Sequence, residues 1–310
     1  MHSKLIVKLM GGLGNQLFQY AIGRAISENN NMELVLDNKT SYKNDKYKRV
    51  YSLNNFKIKA RLISREEIKR ILWKHNFERV SRVIERRLGI NTFINYFRIN
   101  LFSHYLIIKE KSLSFDREIL NISKNKDIYL NGYWGSEKYF YDIKSILQEE
   151  LSVKYNPNEQ NQIIIDKISN CESISVHIRR GDFANHTTSK NLHGVCSLGY
   201  YKKAMLELLR RVKTPHYFIF SDDPVWAKTN LKLDFPTTFI TVNKSSTDYE
   251  DLRLMSYCEH NIIANSTFSW WGAWLSERGG KKVIAPSTSF QHGKMAWGFD
   301  GLLPDDWIKL

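Results

Sequence analysis

Three features of the 310-residue chain predict an α/β fold made of two Rossmann-like domains with parallel sheets. The opening forty residues read as strand, glycine turn, helix and strand, which is one βαβ unit. Through the second half, short β-branched strands alternate with helices, the pattern of a parallel sheet covered on both faces. The length suits two domains of roughly 150 residues each. A polar segment, residues 154–161 (KYNPNEQN), is the best linker in the sequence. The expected domains are therefore 1–155 and 156–310, with a ligand cleft between them.

The elements follow from composition in order. Leu5–Met10 is an apolar run and reads as a buried strand. Gly11-Gly12-Leu13-Gly14 is the turn, Asn15–Asn29 the helix and Met32–Asp37 the second strand. From Lys43 to Lys111 the pattern is less regular and reads as mostly helical. Asp127–Asn131 is the next strand, and Ser136–Leu151 a helix with Ser136 as its N-cap. In the second half strands are expected at Ile174–Arg179, His216–Ser221, Thr238–Val242, Asn261–Asn265 and Lys282–Ala285. Helices are expected around Tyr200–Val212, Asp248–Cys258 and Phe268–Glu277.

Composition narrows the setting. Hydrophobic residues at 42% supply packed cores, and no low-complexity tract interrupts them. Cys171, Cys196 and Cys258 are an odd, widely spaced set without CxxC, which argues against a disulfide framework or a zinc site and suits a reducing cytoplasm. The start is unlike a signal peptide, and no run approaches the ~20 apolar residues that cross a bilayer. The net charge is +14, and Lys57–Lys111 alone holds fourteen basic and five acidic residues. There Ile68, Ile71, Leu72, Val80, Val83, Ile84 and Leu88 recur at helical spacing, with Arg79, Arg82, Arg86 and Arg87 between them. Such a helix is either a solvated face over a core or a contact to the inner face of an anionic membrane. Eight Trp, sixteen Tyr and sixteen Phe with this charge raise nucleic-acid binding, but they lie in strands and helix faces without an RNP-like or helix-turn-helix pattern.

The chemistry concentrates in a few motifs. Ser175-Val-His177-Ile-Arg179-Arg180-Gly181-Asp182 ends a strand in two arginines, where open α/β sheets bind ligands. A guanidinium fork suits a doubly charged phosphate; the plainer reading is a salt bridge from Arg180 to Asp182 with Gly181 making the turn. Gly12-Leu13-Gly14-Asn15-Gln16 lies between strand and helix, the setting of a phosphate turn, or is simply a tight turn. Asp37 stands 23 residues after Gly14, where a nicotinamide or flavin enzyme holds its ribose, although Leu17 replaces the third glycine of that fingerprint. Asn265-Ser266-Thr267-Phe268-Ser269-Trp270-Trp271-Gly272 runs from a strand into a hydroxyl-rich helix start, which attracts an anion or serves as an ordinary cap with core tryptophans behind it. Asp222-Asp223 ends another strand. With no D-x-D spacing anywhere, one of these carboxylates is expected to orient Arg180 or a ribose hydroxyl rather than a metal. Asp248, Glu250 and Asp251 open a helix and could meet a purine edge or favour the helix N-terminus.

Residues 11–21 (GGLGNQLFQYA), 177–182 (HIRRGD) and 265–273 (NSTFSWWGA), in this order, resemble the α-1,2-fucosyltransferases of glycosyltransferase family 11, bacterial type. Gly132-Tyr133-Trp134, Ser136–Phe140 and His193–Ser197 are similar to stretches of the same family, so the resemblance spans nearly the whole chain. It implies a GT-B-like fold, an N-terminal acceptor domain, and a C-terminal domain holding GDP-β-L-fucose. The implied reaction is inverting transfer of fucose to the 2-hydroxyl of a terminal galactose, with no metal and no cofactor beyond the sugar nucleotide. The resemblance carries Arg179 over as the β-phosphate ligand, His177 as a guanine or ribose contact, and Ser266–Ser269 as phosphate contacts. Asp251 is the weaker candidate for the guanine edge, and Asn15 matches an asparagine that faces the reaction centre in related protein O-fucosyltransferases. Asp182 is a candidate base or a brace for Arg180; His186, His193 and Glu137 are alternatives, and Thr187 stands where superfamily members place a glutamate. Tyr133, Trp134 and His193 are the candidate acceptor contacts. Gly12, Gly14, Arg180, Asp222, Asn265 and Phe268 complete the expected donor site. The expected setting is cytoplasmic, peripheral on the inner membrane, with a galactoside acceptor that is free or lipid-linked.

Overall fold

The computed structural model describes residues 3–45, 47–71, 105–122, 126–180, 195–287 and 297–310. They form two sheets in which every strand pair is parallel. The first holds β1 (Lys4–Lys8), β2 (Glu33–Asp37), β3 (Arg61–Leu62), β4 (Tyr105–Lys109) and β5 (Asp127–Asn131), in the order β3-β2-β1-β5-β4. The second holds β6 (Glu172–Ile178), β7 (Pro215–Ser221), β8 (Thr237–Ile240), β9 (His260–Ile262), β10 (Val283–Ala285) and β11 (Ile308–Lys309), in the order β11-β10-β9-β6-β7-β8. In the second sheet the winding reverses once, between β6 and β9; in the first the chain crosses from β3 to the far edge at β4 and returns through β5 beside β1. The reversal parts the connections at the strands' carboxyl ends and leaves a crevice for ligands.

Seven helices carry labels. They are α1 (Leu13–Asn30), α2 (Lys144–Glu150), α3 (Glu159–Ser169), α4 (Leu198–Leu209), α5 (Pro224–Asn230), α6 (Asp248–Tyr257) and α7 (Thr267–Leu275). Among its described residues the stretch from Lys43 carries β3 and β4 as well as a helix at residues 65–71. Its described helical part, residues 65–71, packs Ile68 and Ile71 on Ile6, Val35, Ile63 and Tyr129, so in this part the basic face is solvated. Residues 72–104, with the arginine-rich remainder, lie outside the described residues. Ser136–Leu151 is not one helix: Ser136 caps a 3₁₀ turn at Glu137–Tyr139 by accepting the Lys138 N–H, a second turn follows, and α2 begins only at Lys144. The polar segment 154–161 ends in an N-cap, because the Asn158 side chain accepts the Asn161 N–H and opens α3.

Burial follows the strand period. Leu5 and Val7 face one side of the first sheet, with Leu17, Ile22 and Ile26 of α1, while Ile6 and Val35 face the other. The second sheet is covered by α4 on one face, through Tyr201, Ala204 and Met205, and by α3 and α6 on the other, through Ile164, Ile168, Leu254 and Met255. What unites the halves is aromatic. Trp270, Trp271 and Trp274 of α7 are fully buried, and their rings meet Phe18 of α1 at 4.5 Å and 5.0 Å and Phe140 at 5.4 Å in a stacked pair. The tryptophans are core, as the plainer reading had it, but the core they fill belongs to both sheets.

Candidate active site

Register alone brings the site together. Ser175 pairs with Asn261 across β6 and β9, and Ile178 with Ser221 across β6 and β7. Carrying both registers past the strand ends sets Arg179 level with Asn265 on one side and Asp222 on the other, at the point where the winding reverses. The side chains agree: Arg179 Nε lies 3.1 Å from Asp222 Oδ2, with the arginine side chain 31% exposed. The Arg180 backbone N–H donates to Asp222 Oδ1 at 2.8 Å, so one carboxylate orders both arginines. The Arg180 guanidinium lies 3.8 Å from the Trp226 ring centre, with its Nε 3.7 Å from Asp223 Oδ2. Among the described residues Asp222 thus meets both arginines and Asp223 approaches Arg180; the expected partner of Arg180 was Asp182. That residue, with His186 and His193, lies outside the described residues.

His177 is buried beside the Phe268 ring, 5.7 Å between centres, and its Nδ1 has no hydrogen-bond partner among the described residues. Burial, with the Arg179 charge added, pushes its imidazole down to about 3, so it is neutral at working pH. Asp248 and Asp251, on the first turn of α6, are pushed the other way. Burial raises both to about 6, against the Arg179 charge for Asp248 and against a 2.8 Å hydrogen bond from Asn243 Nδ2 for Asp251.

The hydroxyls at the start of α7 have assigned tasks. Ser266 Oγ accepts the Phe268 N–H as N-cap, and buried Ser269 donates its Oγ–H to the Ser266 carbonyl at 3.3 Å. Thr267 Oγ1 donates to Asn15 Oδ1 at 3.0 Å, linking α7 to α1 across the two halves. The donors available to an anion here are therefore backbone N–H groups of the first turn, which have no carbonyl within the helix, more than the hydroxyls themselves. Asn265 is buried, and its Oδ1 lies 3.5 Å from Cys196 Sγ.

The glycine turn divides its work. Gly11 has φ 79°, a left-handed conformation suited to glycine. Gly12 has open space where a side chain would be. Gly14 has none: a methyl there would stand 2.5 Å from the Thr267 carbonyl carbon and 2.5 Å from the Phe268 nitrogen. The amino ends of α1 and α7 thus meet backbone to backbone, and both direct partial positive charge at the cleft beside Arg179. Gln16 and Gln19, absent from the expected site, hold the turn in shape. Gln16 Nε2 donates to the Val50 and Gly11 carbonyls and its Oε1 accepts the Ser52 N–H; Gln19 Oε1 accepts the Met10 N–H and its Nε2 donates to the Gly132 carbonyl. Two amides on the buried side of an apolar helix were the visible signal.

Asp37 is closed to a ligand. It is fully buried, and it accepts the Lys39 and Thr40 N–H groups, the Thr40 hydroxyl at 2.6 Å and the Tyr129 hydroxyl at 2.7 Å. Those bonds occupy the carboxylate that a nicotinamide enzyme would offer to ribose, which removes the basis of that reading. Trp134 is not an open stacking surface either: it is 2% exposed with φ 57°, and the Glu110 carboxylate takes the N–H groups of both Tyr133 and Trp134 at 2.8 Å. Tyr133 is half-buried beside it. Glu137 accepts Trp274 Nε1 at 2.8 Å, seven residues along α7 from Thr267 and so roughly 10 Å from the helix start.

Among the described residues no three His, Cys, Asp or Glu side chains cluster as metal ligands, and no helix is long and apolar enough to cross a membrane.

The model of the family described as Glycosyl transferase family 11 matches residues 4–302. An α-1,2-colitosyltransferase of Escherichia coli is 32% identical over 99% of both chains. The O-antigen biosynthesis glycosyltransferase WbnK of E. coli is 31% identical over 97% of this chain and 99% of its own. Galactoside alpha-(1,2)-fucosyltransferase 1 of Homo sapiens is 24% identical over 47% of this chain and 42% of its own. Among solved structures, NodZ α-1,6-fucosyltransferase soaked with GDP-fucose superposes over 89% of this chain and 93% of its own, at 12% identity and a TM-score of 0.49.

Proposed function

The chain belongs to glycosyltransferase family 11, and from that premise we propose that it is an inverting α-1,2-fucosyltransferase. It moves L-fucose from GDP-β-L-fucose to the 2-hydroxyl of a terminal β-galactose, in a bacterial surface glycan such as an O-antigen or in an oligosaccharide such as lactose. The observation that carries this reading is Arg179, set between Asp222 and the start of α7 at the reversal of the second sheet.

In the proposed step the acceptor oxygen attacks the anomeric carbon on the face opposite GDP. The bond from that carbon to the β-phosphate oxygen breaks, and GDP leaves with the bonding pair. Charge grows on the β-phosphate as the sugar acquires oxocarbenium character, so donors already aimed at that phosphate lower the barrier. Arg179, ordered by Asp222, and the first-turn N–H groups of α7 fit that task without a metal. The base that takes the 2-hydroxyl proton is sought in 181–194, where Asp182, His186 and His193 stand in sequence, because Glu137 is tied to Trp274 away from the helix start.

GDP release measured with lactose and a panel of galactosides tests the reading. Turnover with GDP-fucose is expected; none with any β-galactoside would overturn it. One observation favours a second donor: a relative matched end to end is a colitosyltransferase, and colitose is fucose without its 3-hydroxyl. Competition between GDP-fucose and GDP-colitose decides, a higher kcat/KM for GDP-colitose making colitose the sugar that is transferred.

Acid should act on this site through α6. If the Asp251 carboxylate accepts from the guanine edge, GDP affinity falls as pH drops through about 6, the value to which burial raises that group. Stability runs the other way. A carboxyl raised in the folded state favours folding below its unfolded value near 3.8 and loses that contribution as pH rises through about 6. Calorimetric GDP titrations from pH 5 to 8 should therefore show weaker binding at pH 5 in wild type and a flat, weak profile in Asp251→Asn. Equal affinity across the range in wild type would remove Asp251 from the guanine edge.

A further inference from the structure

The first sheet's carboxyl edge carries more than the glycine turn. Its order places the connections after β2, β1, β5 and β4 side by side, so Gly12, Tyr133 and the segment after β4 lie along one line. At the β4 end is a cavity of about 180 Å³ whose lining includes Ile108, Ile119, Ile122, Lys111, Ser112 and Asp116. Its apolar side is isoleucine backed by the buried Trp134, and the residues around it offer ammonium, hydroxyl and carboxylate groups. That mixture matches a neutral sugar ring, which has an apolar C–H face and hydroxyls that both donate and accept.

The wall is held in a costly conformation. Trp134 is a non-glycine residue at φ 57°, kept there by the two Glu110 hydrogen bonds, and its buried Nε1 has no partner among the described residues. Gly132 makes room for it, since a methyl there would stand 2.8 Å from the indole and 2.5 Å from Glu110 Cβ. Adjacent strands are about 4.8 Å apart, so the β4 end lies roughly 10 Å from the β1 turn, about the reach of a disaccharide.

We propose that this cavity is a second acceptor subsite, which binds an internal, neutral pyranose of an oligosaccharide whose terminal galactose lies at the Gly12 turn. The inference rests on the transferase reading above and adds that the enzyme measures acceptor length.

Acceptors of one, two and three rings test it: methyl β-galactoside, lactose and a trisaccharide ending in β-galactose. Wild-type kcat/KM is expected to rise about tenfold or more from one ring to three. Ser112→Trp fills the rim from an exposed position, and Lys111→Ala removes an exposed donor; in Ser112→Trp the three-ring to one-ring ratio should fall to near one, and in Lys111→Ala it should drop partway. A wild-type ratio near one, or a ratio retained in Ser112→Trp, overturns the subsite. Saturation-transfer NMR with the trisaccharide alone separates this from failure of the transferase reading. Binding that weakens in Ser112→Trp supports the cavity even if no sugar nucleotide is turned over, and equal binding in both proteins overturns it.

Discussion

Arg179→Ala is expected to lower kcat/KM for GDP-fucose by a factor of a hundred or more, a loss of roughly 3 kcal/mol of transition-state stabilisation. The reason is placement more than charge. Asp222 holds the guanidinium at 3.1 Å and also fixes the next backbone N–H, so Arg179 is oriented before the donor arrives. Most of the loss should fall in kcat, because the charge on the β-phosphate is largest in the transition state. Arg179→Lys should recover only part of it, since an ammonium lacks the planar fork. Asp222→Asn tests the orientation separately. It leaves the cation in place and should cost less than Arg179→Ala, whereas a loss equal to that of Arg179→Ala would show that the carboxylate itself meets the substrate. Steady-state GDP release measures all three, and an Arg179→Ala enzyme with wild-type turnover would falsify the phosphate assignment.

Gly14→Ala should lower both stability and activity, although alanine is the better helix former. The added methyl meets two backbone atoms of the other half at 2.5 Å, and backbone in a capped helix start cannot swing aside as a side chain can. The amino ends of α1 and α7 must then separate, stretching the Thr267–Asn15 hydrogen bond and disturbing the Phe18–Trp270–Trp271 contacts behind it. Overpacking of this kind costs about 1–3 kcal/mol, which corresponds to several degrees in Tm. Gly12→Ala is the control. Gly12 has φ −78° and open space at its Cβ, so it should melt with wild type. Thermal denaturation of the two variants side by side decides the matter, and equal melting would sink the backbone-contact argument.

Most of the second sheet was legible because its strands are short, β-branched and separated by amphipathic helices, a pattern fixed by local burial. Two-residue strands such as β3 and β11 carry no period to read, and β4 sits at the sheet edge with Leu106 exposed, so its alternation is weak. The 3₁₀ turns after Ser136 show a cap correctly read and a helix wrongly extended. The Ser136 cap is a local bond, whereas the course of the chain beyond it depends on Tyr139 and Phe140 packing into the aromatic core. In the site, Arg179, Asp222 and the Asn265–Ser269 start stood out because charged and hydroxyl residues at strand ends are locally conspicuous. Gln16 and Gln19 showed only as amides on the buried side of an apolar helix, and Glu110 not at all, because the distant backbone groups that such side chains satisfy are not visible in the sequence.

The sequence by itself determined the α/β class, the strand ends that form the candidate site and the family to which the chain belongs. Each is encoded in neighbours a few residues apart, as spacing, turn residues or ordered motifs. Tertiary structure alone decided which groups are already engaged. Asp37 closes on Thr40 and Tyr129, Trp134 is a wall and not a surface, Ser269 turns inward, and Gly14 serves contact between two helices. These outcomes depend on partners as far as 252 residues away in the chain, as for Asn15 and Thr267. A polar group's availability is what remains after such partners are satisfied, so it becomes visible only when the two halves are packed together.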